Sequence, residues 1–270
     1  MTIERVAVLG AGTMGSGIAA QLVLSGYAVE LFDPDTAALE RASQRVAKRT
    51  ADQDGAGSAP GLHREVGPAV EDADLVIEAA PEVMELKRSL FAQVDAAAPA
   101  RAVMATNTSE LSVTFIAAAT GRPEAVVGMH WFNPPERMKL IELVRAVRTS
   151  DETLAAAREV AERCGKTVVT VQDRQGFVTT RVVAAVLLEG ARLLEEGVAS
   201  RDDIDTAVRL GLNHPMGPLE LADYIGLDTV VYIAESLTEA YGDRFRAPQI
   251  LRRLVEAGRK GRKSGGGFYQ

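Results

Sequence analysis

The N-terminal part of the chain alternates short apolar runs with longer stretches of mixed polarity. Residues 6–9 are uniformly apolar, and similar runs occur at 74–80, 102–105, 125–129, 139–144 and 167–171, with helical patterns between most of them. A short apolar run of this kind is typical of a strand that is buried on both faces of a parallel sheet. The pattern therefore predicts an α/β fold with a doubly wound, mainly parallel sheet.

The strand-like runs disappear after residue 176. Residues 177–196 form a nearly all-apolar helical run that ends at Gly197, and residues 200–203 resemble a capping box that starts another helix. Prolines at 215 and 218 then precede two further helical segments. The pattern predicts an all-α C-terminal domain. We place the boundary within residues 172–176, which gives domains of 1–174 and 175–270.

One segment, 52–67, is rich in Gly, Ala, Asp, Ser and Pro and has little periodicity. Such a composition is typical of a loop. The sequence before it leaves room for one helix, at about residues 37–51.

A glycine-rich turn follows the first apolar run. Gly10 permits a tight turn, Gly12 lets the backbone approach a pyrophosphate, and Gly15 allows the next helix, predicted at 13–25, to pack closely on the strand. The N-terminus of that helix presents free N–H groups and a positive dipole end to the phosphates. The second strand ends at Asp33, whose carboxylate can bind both ribose hydroxyls but would repel a 2′-phosphate. The N-terminal domain is therefore predicted to be a Rossmann-type domain that binds NAD rather than NADP.

Composition excludes several other classes of protein. The chain has 270 residues, 47% hydrophobic and 25% charged, as in globular enzymes, and the net charge of −7 disfavours nucleic acid as a partner. No run is long enough for a membrane span, and the N-terminus leads directly into the first strand, so we expect a cytoplasmic protein. The lone Cys164 cannot form an internal disulfide and is a poor metal ligand. We expect no metal site.

The chain has only three histidines, and one stands where chemistry is expected. His130 follows the apolar run 125–129, at the carboxyl end of a predicted parallel strand, where ligands of such sheets bind. Glu142 lies in the next strand and can face it. A carboxylate behind an imidazole would fix the tautomer and stabilise imidazolium, so that His130 could act as a general base. The same pair could also be purely structural. His63, in the predicted loop, and His214, in a turn, are weaker candidates.

Six ordered motifs resemble those of the L-3-hydroxyacyl-CoA dehydrogenase family, and the match extends over nearly the whole chain. They are GAGTMG at 10–15, DLVIEA at 74–79, TNTS at 106–109, GMHWFNP at 128–134, HPMGP at 214–218 and KSGGGFY at 263–269. The resemblance is to bacterial 3-hydroxybutyryl-CoA dehydrogenases within that family. It implies NAD-dependent interconversion of a (3S)-3-hydroxyacyl-CoA and the 3-oxoacyl-CoA.

The resemblance also implies roles for individual residues. His130 would be the general base, Glu142 its orienting partner, and Ser109 a donor to the substrate oxygens, although Ser109 could also cap a helix. The residues implied in cofactor binding are Gly10, Gly12, Thr13, Met14, Gly15, Asp33, Glu82, Lys87, Asn107 and Lys263. Asn133 and Thr180 are implied, with Ser109, in substrate binding. Glu82 and Lys87 lie in a run of alternating charges that is also typical of a solvated helix face.

Two features depart from the family pattern. Thr180 stands where the motif Asp-x-Pro-Gly-Phe-x-x-Asn-Arg has asparagine, and the segment 52–67 replaces a longer helical hairpin that contributes to acyl-CoA binding in relatives. The physiological substrate could therefore be an acyl group on a carrier protein or a non-thioester hydroxy acid. A further alternative is a protein that binds NAD without useful catalysis.

The helical run 177–196 carries more apolar side chains than one covered face needs: Val182, Val183, Val186, Leu187, Leu193 and Leu194. This excess predicts a homodimer that forms through the C-terminal domain.

Overall fold

The computed structural model describes residues 2–51 and 58–269. The chain divides into two compact units, Met1–Arg174 and Gln175–Gln270. The first unit contains an eight-stranded sheet with helices between the strands, and the second contains a bundle of helices. The predicted fold class is confirmed.

The sheet runs in the order β3-β2-β1-β4-β5-β6-β7-β8. All neighbouring strands are parallel except β6 and β7, which are antiparallel. The chain order reverses beside β1, which has β2 on one side and β4 on the other, and such a point in an open α/β sheet is where ligands bind. The strands are β1 (Arg5–Leu9), β2 (Ala28–Phe32), β3 (Gly61–His63), β4 (Leu75–Glu78), β5 (Val103–Thr106), β6 (Val126–Trp131), β7 (Leu140–Arg145) and β8 (Thr167–Gln172).

Helices cover the sheet because its central strands are mainly apolar and are buried along their whole length. All four residues of β4 and of β5 are buried, as are all six of β6. The helices of this unit are α1 (Thr13–Leu24), α2 (Thr36–Thr50), α3 (Val66–Val70), α4 (Met84–Ala97), α5 (Val113–Ala117) and α6 (Asp151–Arg163). The strand runs and the two helices predicted near 13–25 and 37–51 are thereby confirmed.

The prediction of a loop over 52–67 is wrong for part of the segment. Residues 52–57 lie outside the described residues, but Gly61–His63 forms the edge strand β3 and Val66 begins α3. His63 pairs with Glu30 on β2, and their Nε2 and Oε2 atoms are 2.7 Å apart. Three residues are too few to show a strand periodicity, so this short edge strand could not be recognised from the sequence.

The second unit consists of α7 (Thr179–Glu195), α8 (Arg201–Gly211), α9 (Pro218–Ile225), α10 (Leu227–Tyr241) and α11 (Gln249–Glu256), with short 3₁₀ turns near the C-terminus. Ser200 caps α8 by accepting from the Asp203 N–H, as the capping-box pattern predicts. Two buried aspartates then fix the C-terminal segment. Asp223 accepts from the N–H groups of Phe268 and Tyr269, and Asp205 accepts from the Tyr269 hydroxyl, each at 2.8 Å.

Most of the apolar surface of α7 is used inside the second unit. Leu187 is 3% exposed, and Val183, Leu193 and Leu194 pack against the same core. Val182 is 59% exposed. Within the described ranges, no helix has the length and apolar character required to cross a membrane.

Candidate active site

The glycine-rich turn lies at the carboxyl end of β1, beside β4. Gly10 has φ +107°, and a Cβ there would come within 2.8 Å of the Ala79 carbonyl oxygen. A Cβ on Gly15 would lie 1.7 Å from the carbonyl oxygen of Gly10, so α1 can start this close to the turn only with glycine. A Cβ on Gly12 would have no neighbour within 4 Å, which leaves the backbone open to a ligand on that side.

The N-terminus of α1 borders a cavity of about 690 Å³. This size is typical of a cofactor pocket. The N-cap of this helix is Gly12, which lines the cavity and makes no side-chain cap, so a ligand there can accept from the first N–H groups of the helix. The lining residues include Gly10, Gly12, Thr13, Met14, Phe32, Asp33, Val66, Leu86, Leu90 and Gln93. An anion-binding helix end beside an apolar cleft fits a dinucleotide, with its pyrophosphate at α1.

Asp33 joins the end of β2 to the glycine-rich turn. Its Oδ2 accepts from the Ala11 N–H at 2.8 Å, and its Oδ1 accepts from the Asp35 N–H at 2.9 Å. Each carboxylate oxygen has a second lone pair, so the group can still accept from ribose hydroxyls. These two backbone contacts fix the carboxylate at the cavity wall.

His130 and Glu142 face each other across the antiparallel pair β6 and β7. They are direct partners in the sheet register, and the distance between His130 Nδ1 and Glu142 Oε2 is 2.8 Å. His130 is 7% exposed and Glu142 is fully buried. Because an ionised carboxylate only accepts, Nδ1 carries the proton and Nε2 is the basic nitrogen.

The strand that carries His130 is longer than the sequence indicates. It continues to Trp131, so His130 lies inside β6 rather than just after it. The Phe132 ring packs against the imidazole with a centroid distance of 4.4 Å. Asn107 Oδ1, after β5, accepts from the Trp131 N–H at 2.8 Å and joins the two strand ends. Asn133 is exposed in the following turn.

Lys166 holds the connection from β6 to β7. Its buried ammonium donates to the carbonyl oxygens of Pro135 and Met138 at 2.6 and 2.9 Å. Burial lowers the pKa of Lys166. The sequence indicates no role for this residue, because its partners are backbone atoms some thirty positions away.

Ser109 lies in a turn after β5 that is held by Glu82. Glu82 Oε1 accepts from the Ser109 N–H at 2.9 Å and is 3.3 Å from the Ser109 hydroxyl. The suggestion that Ser109 caps a helix is wrong: the N-cap of α5 is Ser112, whose hydroxyl accepts from the Phe115 N–H. Asp173, which sequence reasoning missed as a cap, accepts from the N–H groups at the start of α5.

Lys87 is 1% exposed, so it does not lie on a solvated helix face. Its Nζ is 2.7 Å from Oε1 of Glu78, which is itself fully buried at the end of β4. Sequence reasoning missed Glu78 as a member of the site. Its signal was an acidic residue that ends an otherwise apolar strand, a position where a buried carboxylate needs a partner.

Thr180 and Lys263 belong to the second unit. Thr180 is buried in the first turn of α7. Lys263 is half-exposed near the C-terminus, and its Nζ lies 2.5 Å from Asp228 Oδ1. Gly226 makes room for this ion pair, because a Cβ there would lie 2.9 Å from the Lys263 ammonium.

Both units of the chain match domains of a single protein family. Residues 5–174 match the NAD binding domain of 3-hydroxyacyl-CoA dehydrogenase, and residues 176–270 match the C-terminal domain of the same family. The chain belongs to the 3-hydroxyacyl-CoA dehydrogenase family. The predicted family and the NAD cofactor predicted from Asp33 are confirmed, and the protein is an NAD-dependent oxidoreductase of this family.

Individual relatives match over the full length. The chain is 42% identical to a probable 3-hydroxybutyryl-CoA dehydrogenase from Bacillus subtilis, over 100% of this chain and 98% of the relative. The crystal structure of (S)-3-hydroxybutyryl-CoA dehydrogenase from Ralstonia eutropha matches with a TM-score of 0.95 and 38% identity, over 99% of both chains. A diketoreductase that acts on dicarbonyl compounds matches with a TM-score of 0.85 and 31% identity, over 100% of both chains.

The position of Asp33 leads to a prediction about cofactor preference. In Asp33→Ser the carboxylate that would repel a 2′-phosphate is gone, so the ratio of kcat/KM for NADH to that for NADPH should fall by about tenfold or more. Steady-state kinetics with the two cofactors measure this ratio. Asp35→Ser is the matched control, because Asp35 caps α2 and serine caps equally well. An unchanged ratio in Asp33→Ser would contradict the assignment.

Proposed function

We propose that this chain interconverts (3S)-3-hydroxyacyl-CoA, such as 3-hydroxybutyryl-CoA, and the corresponding 3-oxoacyl-CoA. The observation that carries the proposal is the buried pair of His130 and Glu142, whose Nδ1 and Oε2 atoms are 2.8 Å apart. The pair lies toward the carboxyl ends of the parallel strands, as does the glycine-rich turn. The names of the relatives from Bacillus subtilis and Ralstonia eutropha support the substrate class.

The roles of the side chains follow from their chemistry. Glu142 holds the Nδ1 proton of His130, so Nε2 is oriented to take the proton of the substrate hydroxyl. The negative charge of Glu142 stabilises the imidazolium that results. Bound NAD supplies the acceptor for the hydride that leaves C3 of the substrate. The Ser109 hydroxyl, which donates to Glu82 Oε1 at 3.3 Å, would turn to donate to the substrate oxygen.

The family resemblance suggests the remaining roles in this proposal. In the domain 1–174, the glycine-rich turn, Thr13, Met14, Asp33 and Asn107 would bind NAD. The family resemblance implies Thr180 and Asn133 in substrate binding and Lys263 in cofactor binding. Thr180 has a shorter side chain than asparagine, so its contact to substrate would be weaker or mediated by water.

A second candidate is a reductase for a carbonyl compound that is not a thioester. This candidate is supported by the similarity to a diketoreductase, which acts on dicarbonyl compounds and matches this chain over the full length of both. An acyl group on a carrier protein is the third form of substrate. An NAD-binding protein without useful catalysis is disfavoured by the intact pair of His130 and Glu142.

The first experiment measures the reduction of acetoacetyl-CoA by NADH, which is monitored as the loss of NADH absorbance. We expect rapid turnover with the CoA thioester and slow turnover with free acetoacetate and with NADPH. Turnover of free acetoacetate at the same kcat/KM would favour the second candidate. Failure to turn over either compound, with NADH binding intact, would contradict the proposed activity on acetoacetyl groups.

Replacement of His130 separates catalysis from cofactor binding. His130→Gln should lower kcat by about a hundredfold to ten-thousandfold, because the general base is lost. The NADH dissociation constant, measured by fluorescence titration, should stay close to that of the unmodified protein. The control is His63→Gln, which removes a histidine from β3, a strand separated from β6 by four other strands of the sheet. Unchanged turnover in His130→Gln would refute the general-base role.

We also propose that the protein is a homodimer that forms through the helical unit, and that it acts in the cytoplasm. Support for the dimer comes from exposed apolar side chains of that unit, among them Val182, Leu210, Leu212 and Tyr224. Each is more than half exposed and therefore offers apolar surface that a second copy of the unit could cover. Sedimentation velocity at micromolar concentration should give the mass of a dimer, and a monomer would overturn this proposal.

A further inference from the structure

Gln93 is the third polar side chain of the cofactor cavity, beside Thr13 and Asp33. Among the described residues that line the cavity, only these three have a hydroxyl, carboxylate or amide side chain, and the others are glycine or apolar. Thr13 is the first residue of α1, where a pyrophosphate fits, and Asp33 can accept from ribose hydroxyls. These two residues account for the phosphates and one ribose, which leaves Gln93 for the base.

The base beside Asp33 is adenine, and the cavity provides apolar walls for it. An acidic residue at this position binds the ribose that carries the 2′-phosphate in NADP, which is the ribose of adenosine. Phe32 and Pro34 flank Asp33 in the chain and line the cavity. Val66, another lining residue, follows β3 closely, and the Asp33 N–H donates to the carbonyl oxygen of His63 in that strand at 3.1 Å. The adenine ring can therefore lie between apolar side chains next to its ribose.

Gln93 ends a row of cavity-lining residues on α4. Leu86, Leu90 and Gln93 are four and three positions apart, so they lie on the same face of the helix. Leu90 is buried, Leu86 is 38% exposed, and Gln93 is exposed. The two leucines can pack against the face of a planar ring, and the amide that follows them offers a polar group to its edge.

The amide of Gln93 is oriented by the preceding turn of α4. Its Nε2 donates to Ser89, at 3.3 Å to the carbonyl oxygen and at 3.4 Å to the hydroxyl. Over residues 2–51 and 58–269, no hydrogen bond to Oε1 is found. Because an amide oxygen only accepts, the group of Gln93 that is left for a ligand is an acceptor.

We propose that Gln93 recognises the adenine of NAD, with Oε1 accepting a hydrogen bond from the 6-amino group. This amino group is the exocyclic donor of adenine, and glutamine side chains pair with it in the same way when proteins read DNA. Hypoxanthine has a carbonyl oxygen in place of the amino group, so it would place an acceptor against an acceptor. The proposal rests on the NAD cofactor of the family and does not depend on which substrate is reduced.

The test compares the binding of NADH with that of its hypoxanthine analogue, deamino-NADH. Both contain the reduced nicotinamide, whose fluorescence reports binding without any turnover. We expect the unmodified protein to bind NADH about threefold to tenfold more tightly than deamino-NADH, which is the range for one hydrogen bond between neutral groups.

Two substitutions of Gln93 should change this preference in different ways. In Gln93→Leu the ratio of the two dissociation constants should fall to about one, because neither purine finds a partner. In Gln93→Lys an ammonium donor replaces the acceptor, so the preference should reverse in favour of deamino-NADH. Any general effect of a substitution on the cavity acts on both dinucleotides and cancels in the ratio. Gln44→Leu, at an exposed glutamine of α2 that does not line the cavity, is the matched control and should leave the ratio unchanged.

Two binding results would overturn the proposal. Equal binding of the two dinucleotides by the unmodified protein would show that the amino group is not recognised. A preference for NADH that persists in Gln93→Leu would assign the recognition to another group. If the unmodified protein does not reduce acetoacetyl-CoA, the proposed function fails, and the ratio of dissociation constants still decides the role of Gln93.

Kinetics provide an independent check on which end of the cofactor Gln93 contacts. If acetoacetyl-CoA is reduced, kcat of Gln93→Leu at saturating NADH should stay within about twofold of that of the unmodified protein, because the nicotinamide end is unaffected. A fall of about tenfold or more in this kcat would contradict a contact to adenine alone.

Discussion

The hydrogen bond between His130 and Glu142 depends on a single reversal of strand direction. Every neighbouring pair from β3 to β6 is parallel, and β7 then runs antiparallel to β6. In an antiparallel pair, residues directly opposite each other have side chains on the same face at close range. The reversal therefore places a buried carboxylate behind the imidazole without any loop having to bend toward it.

Other polar groups of the site also lie at the carboxyl ends of the parallel strands. The parallel strands β1, β4, β5 and β6 all end there, and each is followed by a turn that carries polar side chains or open backbone. Buried polar groups at such an edge must satisfy one another, because water is largely excluded. This requirement explains why Glu78, Thr106 and Asn107 form hydrogen bonds that link the ends of neighbouring strands.

The parts of the fold and site that the sequence could predict are those with local signals. The glycine-rich turn and Asp33 follow a fixed spacing along the chain, and the apolar runs are long enough to identify most strands. His130 and Glu142 stood out because the chain has few histidines and both lie in apolar strands. Lys87 could not be interpreted correctly, since its burial depends on Glu78, nine positions away on another element. The edge strand β3 is too short to leave a periodic pattern, and the structural uses of Asp173 and Lys166 depend on partners far along the chain.

The register of β6 and β7 also determines where this protein can accommodate changes in chain length. The pairing of His130 with Glu142 is set by the ladder of hydrogen bonds between the two strands, and residues 132–139 form the connection outside this ladder. A one-residue insertion inside either strand would turn the following side chains to the other face and separate the imidazole from the carboxylate. An insertion of equal size at the exposed tip of the connection leaves the ladder unchanged. Homologous enzymes with connections of different length can therefore share the same geometry of the general base.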